Sequence, residues 1–550
     1  MSAVTGALAT ARAKGKQSRR RSNLPAENPA AGDVPVAALQ SEAQRATEAR
    51  APLGAACGPV AIPPSPISPV VPAGVEVHGA AGLELPGRGF LARALASCTP
   101  VDEGLPRRER PNRALLVDRL EPDFEADAPQ ASQPRLVVGT AGDHPAVFQT
   151  LVAVFQSPAY DRFLSTLEDP FYEPSDRLLV KRKSQVLSHL HLARRVMHLG
   201  PLELPASTVS WLATLPEFRG QGFARALIDT AERLMVEDGS AVGLTRTRIP
   251  YFFRNAGWAV CGRHCLSEAN VRDLLAQLST HSRRRAAGRV TVRPWRQVEL
   301  AGLMRTYQEN TVGGAGAIHR TEAYWRWLVS RKEFDHIFVA INGPDKFEWE
   351  SDNQPIVGYA VTRRNRIVEL MTSPEHPAAA VQLLARACRE AIERDDDHVI
   401  LHAPPDSPLH GWLLAAGGTR HYHESLQGEV LMVKLFDPSA LLTALCDELR
   451  RRAEAAGLAL PIELGLSIEG EKLLVCVTRR GVKLAHNRLG RSYLALNQAE
   501  LARLLLGHGD VDEAIGQGRI EASTRIAQQA AAALFPRLPL WRSPLDELMP

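Results

Sequence analysis

The rhythm of apolar and polar positions changes several times along this chain, and each change marks an element. Arg135–Gly139 reads as a strand, and Ala146–Phe155 has helical apolar spacing. Arg177–Lys181 and Gln185–Leu199 predict two strands, the second alternating through Val186, Leu190 and Leu192, and Thr208–Thr214 predicts another. After a loop over Leu215–Gln221, the positions Phe223, Ala226, Leu227, Thr230, Ala231, Leu234 and Met235 make one face of a helix. A strand at Ala241–Thr245 and a short helix around Tyr251–Asn255 follow.

His281–Gly288 is expected to be a linker, with Arg283–Arg285 as a solvated charge run. Beyond it the same coarse order returns: strands at His336–Ala340, Ile356–Arg363 and Ile367–Thr372, a long helix, a strand at His398–His402, a short helix, and strands over His421–Phe436. The helix face Ala380, Leu383, Leu384, Ala387, Cys388, Ala391, Ile392 repeats the earlier one at a constant offset of 157 residues. Two units of one architecture in tandem are therefore expected, and the weight of that reading lies in the shared order of elements. After Asp437-Pro438 a third unit is predicted. It has a helix from Ser439 to about Ala456, strands at Ile462–Ser467, Lys472–Thr478, Gly481–Ala485 and Tyr493–Leu496, a helix from Gln498, and a last helix through Ile526–Leu534.

Composition separates the first quarter from the rest. Residues 1–134 hold 17 of the 39 prolines but only two of the 31 aromatic residues, Phe90 and Phe124. Such a segment cannot bury enough apolar surface to offset the entropy of ordering it, so a disordered Pro/Ala-rich tail is expected, with at most a short helix near Phe90–Ala96. The balance of 65 basic against 61 acidic residues, +4 in all, gives no argument for a nucleic-acid or membrane partner. No run approaches the eighteen or so apolar residues of a membrane span. The basic cluster Arg19–Arg21 follows the short apolar start, the reverse of a signal peptide. Seven scattered cysteines suggest a reducing, cytoplasmic compartment.

The stretch most informative about chemistry is Val209–Ala224, VSWLATLPEFRGQGFA. A strand ends, Arg219-Gly220-Gln221-Gly222-Phe223-Ala224 turns the chain, and an amphipathic helix begins. Glycines let backbone N–H groups approach an anion, the helix N-terminus adds roughly half a positive charge, and Arg219 can add a fixed cation. These are the parts of a pyrophosphate cradle, although neither the Gly-Lys-Ser/Thr loop nor the dinucleotide GxGxxG motif is present.

This R-x-x-G-x-A loop resembles the acyl-CoA loop of the GNAT acetyltransferases. The preceding Leu212-Ala213-Thr214-Leu215-Pro216-Glu217-Phe218 is similar to the family's strand, and Phe252-Phe253-Arg254-Asn255-Ala256-Gly257-Trp258 to its F-Y-x-x-x-G-F signature. The resemblance implies pantetheine contacts at Leu212, Ala213 and Thr214, pyrophosphate on the amides of Gly220, Gln221, Gly222, Phe223, Ala224 and Arg225, and Arg248 and Ile249 near the thiol end. The acceptor amine would attack the thioester carbonyl, a base or a water wire would take its proton, and an acid would protonate the thiolate.

The wider order, over about residues 135–550, resembles the enhanced-intracellular-survival (Eis) branch. Gly313–Arg320 followed by Tyr324-Trp325-Arg326-Trp327-Leu328 is similar to the start of that branch's second domain. The resemblance implies an α/β (α+β) fold with mixed twisted sheets: a first GNAT domain at 135–280 with the acetyl-CoA site, a degenerate second one at 289–436, and a sterol-carrier-protein-like domain at 437–550. The second unit's loop, Ser373-Pro374-Glu375-His376-Pro377-Ala378-Ala379, has no glycine, and Pro377 lacks an N–H. A homo-oligomer, with a hexamer as its implied form, is also expected.

Two departures matter. The family's acid is a Tyr, and its position here is Phe253. Tyr251 stands two residues away, a turn of roughly 200° on a helix. The family's base is the carboxylate of the last residue, which corresponds here to Pro550. Tyr251 and Pro550 are thus the candidate catalytic residues. No metal is expected: Cys261-Gly-Arg-His264-Cys265 has metal-like residues without a second pair. His189, His191, His421 and His423 are read as exposed strand residues, Asp395–Asp397 as a helix-end loop, and Cys446 and Cys476 as core residues. The expected function is acetyl-CoA-dependent transfer of an acetyl group to an amine of a polyamine, an aminoglycoside-like molecule or a protein lysine. The rivals are a CoA-binding scaffold, impaired for want of the acid, and a carrier of apolar ligands through the C-terminal domain.

Overall fold

The structure, a computed structural model, describes residues 133–262, 264–284, 290–343, 356–423, 425–426, 429–538 and 540–547. Of the expectations above, those for the tail up to residue 132 and for Pro550 lie outside the described residues.

Fifteen-residue Gln185–Leu199, buried along almost its whole length, is long enough to organise a sheet by itself. It is β3, between β1 (Arg135–Val138), β2 (Arg177–Arg182) and β4 (Leu202–Thr214), followed by β5 (Val242–Thr247) and β6 (Ala259–Val260). Helices α1 (His144–Phe155) and α2 (Tyr160–Leu167) precede β2, α3 (Phe223–Glu237) joins β4 to β5, and α4 (Pro250–Arg254) joins β5 to β6. Beyond lie β7 (His264–Asn270), α5 (Val271–Arg284), β8 (Val290–Pro294), α6 (Leu300–Thr311), β9 (Ala315–Ile318) and α7 (Glu322–Ser330). The repeat then runs through β10 (His336–Asn342), β11 (Ile356–Arg363), β12 (Arg366–Thr372), α8 (Pro377–Glu393), β13 (His398–His402), α9 (Leu409–Ala415), β14 (Thr419–His423), β15 (Ser425–Leu426) and β16 (Glu429–Leu435).

The sheets do not follow these sequence blocks. The first has the order β1-β2-β3-β4-β5-β16-β15, with β6 on β16 and β9 on β3; the second has the order β14-β7-β13-β12-β11-β10-β8. The two units exchange strands: β7 leaves the first for the second, and β16 returns to pair with β5 over Val242–Thr247. The expected linker also begins later than its sequence suggests, because α5 continues to Arg284.

A third, five-stranded sheet has the order β19-β18-β17-β20-β21, from β17 (Ile462–Ile468), β18 (Glu471–Thr478), β19 (Gly481–His486), β20 (Tyr493–Leu496) and β21 (Glu521–Ala522). The helix expected over Ser439–Ala456 is two, Pro438–Ala444 and Cys446–Ala455, although backbone bonds continue through Leu445. Cys446 and Cys476 are half-buried, a correction to their reading as core. One continuous apolar cluster joins this unit to the others, from Ala206 and Val242 through Trp325 and Tyr359 to Leu464 and Leu534. Among the described residues no helix is long and apolar enough to cross a membrane.

His189 and His191 are buried, against the expectation of exposure. The alternation through Val186, Leu190 and Leu192 implies a solvent face for the histidines. Instead α1 residues Val147 and Leu151 pack on one side with Val186 and Trp211, and α3 residues Leu227, Ala231 and Leu234 cover Leu190 and Leu192 on the other. A central strand covered on both faces has no solvent side for its polar residues.

Candidate active site in the first unit

The site begins where β4 and β5 part. Their parallel pairing covers only Ala206–Val209 against Val242–Thr245, and Thr245 Oγ1 donates to Val209 O (3.0 Å) at the junction. Beyond it the strands diverge and leave the edge of β4 from Ser210 to Thr214 without a β5 partner. In open α/β sheets such a break in pairing at the carboxyl ends of strands is where ligands enter.

On its other edge β4 carries a bulge. Ser210 faces His191 and Ala213 faces His189, so Trp211 and Leu212 together oppose Leu190 alone. Trp211 has φ +56°, a left-handed conformation that strains a bulky residue by roughly 1–3 kcal/mol. A buried strut holds it. Arg177 Nη1 donates to His189 Nε2 (3.0 Å), which makes Nδ1 the protonated nitrogen, and Nδ1 donates to Trp211 O (2.9 Å). Burial and the neighbouring Arg177 charge push His189 well below its ordinary pKa, so the ring is neutral. Arg177 is itself held by Tyr172 Oη, which accepts from its Nε (2.9 Å), and by the Phe163 ring 5.0 Å away. Ser188 Oγ adds a bond to Ala213 O (2.8 Å). Leu212, Ala213 and Thr214, the candidate pantetheine residues, thus sit on a strand whose shape is fixed from behind.

His189→Ala is expected to leave the Trp211 carbonyl unpaired, to cost about 1–3 kcal/mol of stability and to raise KM for the acyl donor. Denaturant melts and steady-state kinetics would check both. An unchanged KM would mean that the strut serves packing alone.

After Thr214 a 3₁₀ turn, Pro216–Phe218, leads to Arg219 and the glycine loop. Gly220 and Gly222 have φ of +79° and +80°, a conformation that excludes most side chains, and a Cβ on either would meet nothing within 4 Å. The loop is open where those side chains would stand. Gly222 is the N-cap of α3, and the first backbone bond of the helix is Ala226 N–H to Gly222 O (3.0 Å). The N–H groups of Phe223, Ala224 and Arg225 are therefore first-turn orphans available to an anion. Arg219 reaches back to Thr214 O through Nε (3.3 Å) and leaves the rest of its exposed guanidinium for a ligand. The side chain of Arg225 is engaged, by Asp229 (2.8 Å) and by Asn255 O (3.1 Å), so this residue offers its backbone.

Beyond β5, Thr247 Oγ1 accepts from Ile249 N–H (3.0 Å) and starts the turn into α4. Ile249 is exposed, and Tyr251 is 76% exposed. Phe253 lies on the opposite side of α4, buried in the core with its ring edge-on to Trp258 at 5.6 Å. The acid position of the signature thus faces the core, and Tyr251 is the hydroxyl that α4 presents to solvent.

The C-terminal segment also arrives here, anchored by the buried Leu540 and Trp541. Trp541 N–H donates to Ala315 O (2.9 Å) beside β9. Asp546 pairs with Arg320 through Oδ1 to Nε and Oδ2 to Nη2, both 2.9 Å. The same guanidinium holds Glu369 (2.9 and 2.6 Å) and lies over the Tyr307 and Trp325 rings. All three charged side chains are fully buried. Glu547 then pairs with Arg246 on β5, two residues before Arg248. Pro550 lies outside the described residues.

The second unit has a similar fork without a glycine loop. β12 and β13 pair only at Arg366–Ile367 against Ile400–Leu401 and then diverge. The opening is a cavity of about 540 Å³ walled by Leu370, Met371, Val381, Trp412 and Trp541. At its α8 end the amides of His376 and Ala379 are taken by Ser373 O and His376 O (both 2.9 Å), and Pro377 has none to offer.

Residues 138–261 match the family model described as "Acetyltransferase (GNAT) domain". A comparison with curated protein sequences finds no match. Among solved structures, the chain is similar to a GCN5-related N-acetyltransferase from Kribbella flavida, at 17% identity and a TM-score of 0.58, over 77% of this chain and 100% of that one. It is similar to a GCN5-related N-acetyltransferase from Anabaena variabilis ATCC 29413 at 15% and 0.58, over 74% and 99%. Eis1 from Mycobacterium abscessus is similar at 14% and 0.52, over 75% and 99%. At such identities the likeness carries the fold, which is GNAT-like: mixed α/β with several mixed sheets.

Proposed function

We propose that the chain is an acyl-CoA-dependent N-acyltransferase, with acetyl-CoA as donor and a single site in the first unit. The observation that carries this is the fork between β4 and β5 leading into the Gly220–Gly222 loop at the N-terminus of a fifteen-residue helix. The pantetheine arm lies along Leu212–Thr214, the pyrophosphate rests on the amides from Gly220 to Arg225 with Arg219 over it, and the thioester reaches Arg248 and Ile249. The acceptor nitrogen attacks the thioester carbonyl, the C–N bond forms as the C–S bond breaks, and CoA leaves as a thiolate. Tyr251 supplies the thiolate's proton. The Pro550 carboxylate, directly or through water, takes the proton from the amine. The pairings of Asp546 with Arg320 and of Glu547 with Arg246 on β5 support that role.

The strand exchange and the third sheet agree with an Eis-like tandem arrangement closed by a sterol-carrier-protein-like domain, and a homo-oligomer belongs to the same reading. The acceptor class remains an amine on a polyamine, an aminoglycoside-like molecule or a protein lysine.

A thiol-release assay with acetyl-CoA and one amine from each class tests the activity, alongside a calorimetric titration with CoA. The expected results are one CoA per chain and release that depends on the amine. Deletion of residues 548–550 is expected to keep CoA binding and to lower turnover by roughly 100-fold, the scale of a lost general base. The burial of Phe253 favours a second reading, a CoA-binding protein without turnover. CoA binding with no amine-dependent release would select that reading, and absence of CoA binding would remove both.

A further inference from the structure

We propose that His198, Glu203 and His319 form a binding site for a zinc-type divalent metal ion, joining the β3–β4 hairpin to the segment that follows β9. Three parts of the chain converge there. His198 and Glu203 face each other directly in the β3–β4 register. On the other edge of β3, Met197 pairs with Ile318 of β9, and His319 N–H donates to Val196 O (2.8 Å). One ligand atom from each of the three side chains then lies within 4.8 Å of the other two.

The donor set suits such an ion. Two imidazoles and one carboxylate match zinc and its neighbours among the transition metals, and are too rich in nitrogen for magnesium or calcium. His198 is only 6% exposed, and its ring lies tilted against that of His319, 5.7 Å between centroids. Burial holds His198 below its ordinary pKa, which keeps the ring neutral as a ligand must be. The hydrogen bond from His319 holds Glu203 in its ionised form.

The geometry needs a small closure. With bonds of about 2.0–2.1 Å, donors around a tetrahedral ion stand roughly 3.3 Å apart. His319 Nδ1 and Glu203 Oε1 are 2.9 Å apart already, bridged by a proton. The ion takes the place of that proton, which leaves to solvent, and His198 moves in by a side-chain adjustment of the order of 1 Å. Water completes the shell.

The place of the site suggests a structural role. His319 is the residue before Arg320, whose guanidinium holds Asp546 and so the C-terminal segment. The hairpin turn is already tied to the residue before β9, by Gly200 N–H to Gly314 O (2.7 Å). An ion at His319 closes this attachment on the other side.

The test uses the full chain stripped with a chelator and titrated with Zn²⁺, and in parallel with Co²⁺ as a spectroscopic probe and Mg²⁺ as a control. The expected results are about one Zn²⁺ per chain, a thermal midpoint raised by several degrees, tetrahedral Co²⁺ bands and no uptake of Mg²⁺. His198→Ala and His319→Ala should each weaken Zn²⁺ binding at least about tenfold, and Glu203→Gln should do the same with the least disturbance to the fold. Circular dichroism of the metal-free variants separates loss of a ligand from loss of structure. No stoichiometric uptake, or uptake unchanged when all three residues are replaced, would overturn the site and leave a hydrogen-bonded cluster.

Discussion

Gly222→Asp is expected to lower acetyl-CoA affinity by about 100-fold or more while the chain stays folded. Position 222 has φ +80°, so any side chain brings local strain of roughly 1–2 kcal/mol, but the added atoms meet no protein within 4 Å. The helix does not suffer for lack of a cap, since Asp is a good N-cap residue and its carboxylate can accept from the orphan amides itself. That is the reason for the loss. The amides of Phe223, Ala224 and Arg225 are filled from within, and a fixed negative charge stands where the pyrophosphate should sit. Losing two charge-assisted hydrogen bonds at about 1.5 kcal/mol each gives about 3 kcal/mol, the stated factor. Gly222→Ala separates the two causes: it carries the strain without the charge and should lose much less. Calorimetric titration with CoA measures both variants, and equal affinity in Gly222→Asp and the unaltered chain would remove the cradle from this loop.

The glycine loop was legible because its parts are neighbours in sequence. Strand, glycine turn and helix start occupy Val209–Ala224, and glycine at positive φ leaves a mark that a single sequence can show. The supports behind it were not legible. His189 and Arg177 lie twelve residues apart on adjacent strands, and they meet Trp211 only through the long β3–β4 hairpin. Alternation suggested an exposed face because it reports the contrast between the two sides of a strand, and β3 has helices on both. The exchange of β7 and β16 was hidden for a related reason: period-2 apolar patterning fixes that a segment is a strand and says nothing about which sheet it joins. His198, Glu203 and His319 carry no spacing signal, since the third residue lies 116 positions beyond the second. In the second unit the amide missing from Pro377 and the lack of glycine are local properties, visible in the residues themselves.

Asp546→Ala is expected to destabilise the chain by about 3–5 kcal/mol, the usual cost of removing one partner from a buried ion pair. Arg320 stands between two carboxylates with no exposed atom on any of the three side chains, so the truncated site keeps a cation whose Nε and part of Nη2 have lost their acceptors. The same change frees the segment that leads to Glu547 and its partner Arg246, so turnover should fall even under conditions where the variant is folded. Acid titration tests the network from the other side. Burial opposes ionisation of Glu369, yet the Arg320 charge and the hydrogen bonds from Arg320, Ser543 and Tyr359 outweigh it and hold the carboxyl below its ordinary value of 4.5. A depressed folded pKa means that the unfolded chain takes up the proton first as pH falls. The contribution of Glu369 is therefore complete from neutral pH down to about 4.5 and is lost only as pH drops through the lower folded value. In Arg320→Met the sign should reverse. Burial then acts on Glu369 without the cation, its folded pKa rises, and lowering the pH from about 7 to about 5 should stabilise the variant while leaving this contribution in the unaltered chain unchanged. Urea melts of the three proteins at those two pH values decide the matter: parallel shifts in all of them would mean that the buried charges contribute no specific term, whereas a gain in stability at the lower pH in Arg320→Met alone would tie the ionisation of Glu369 to this one arginine.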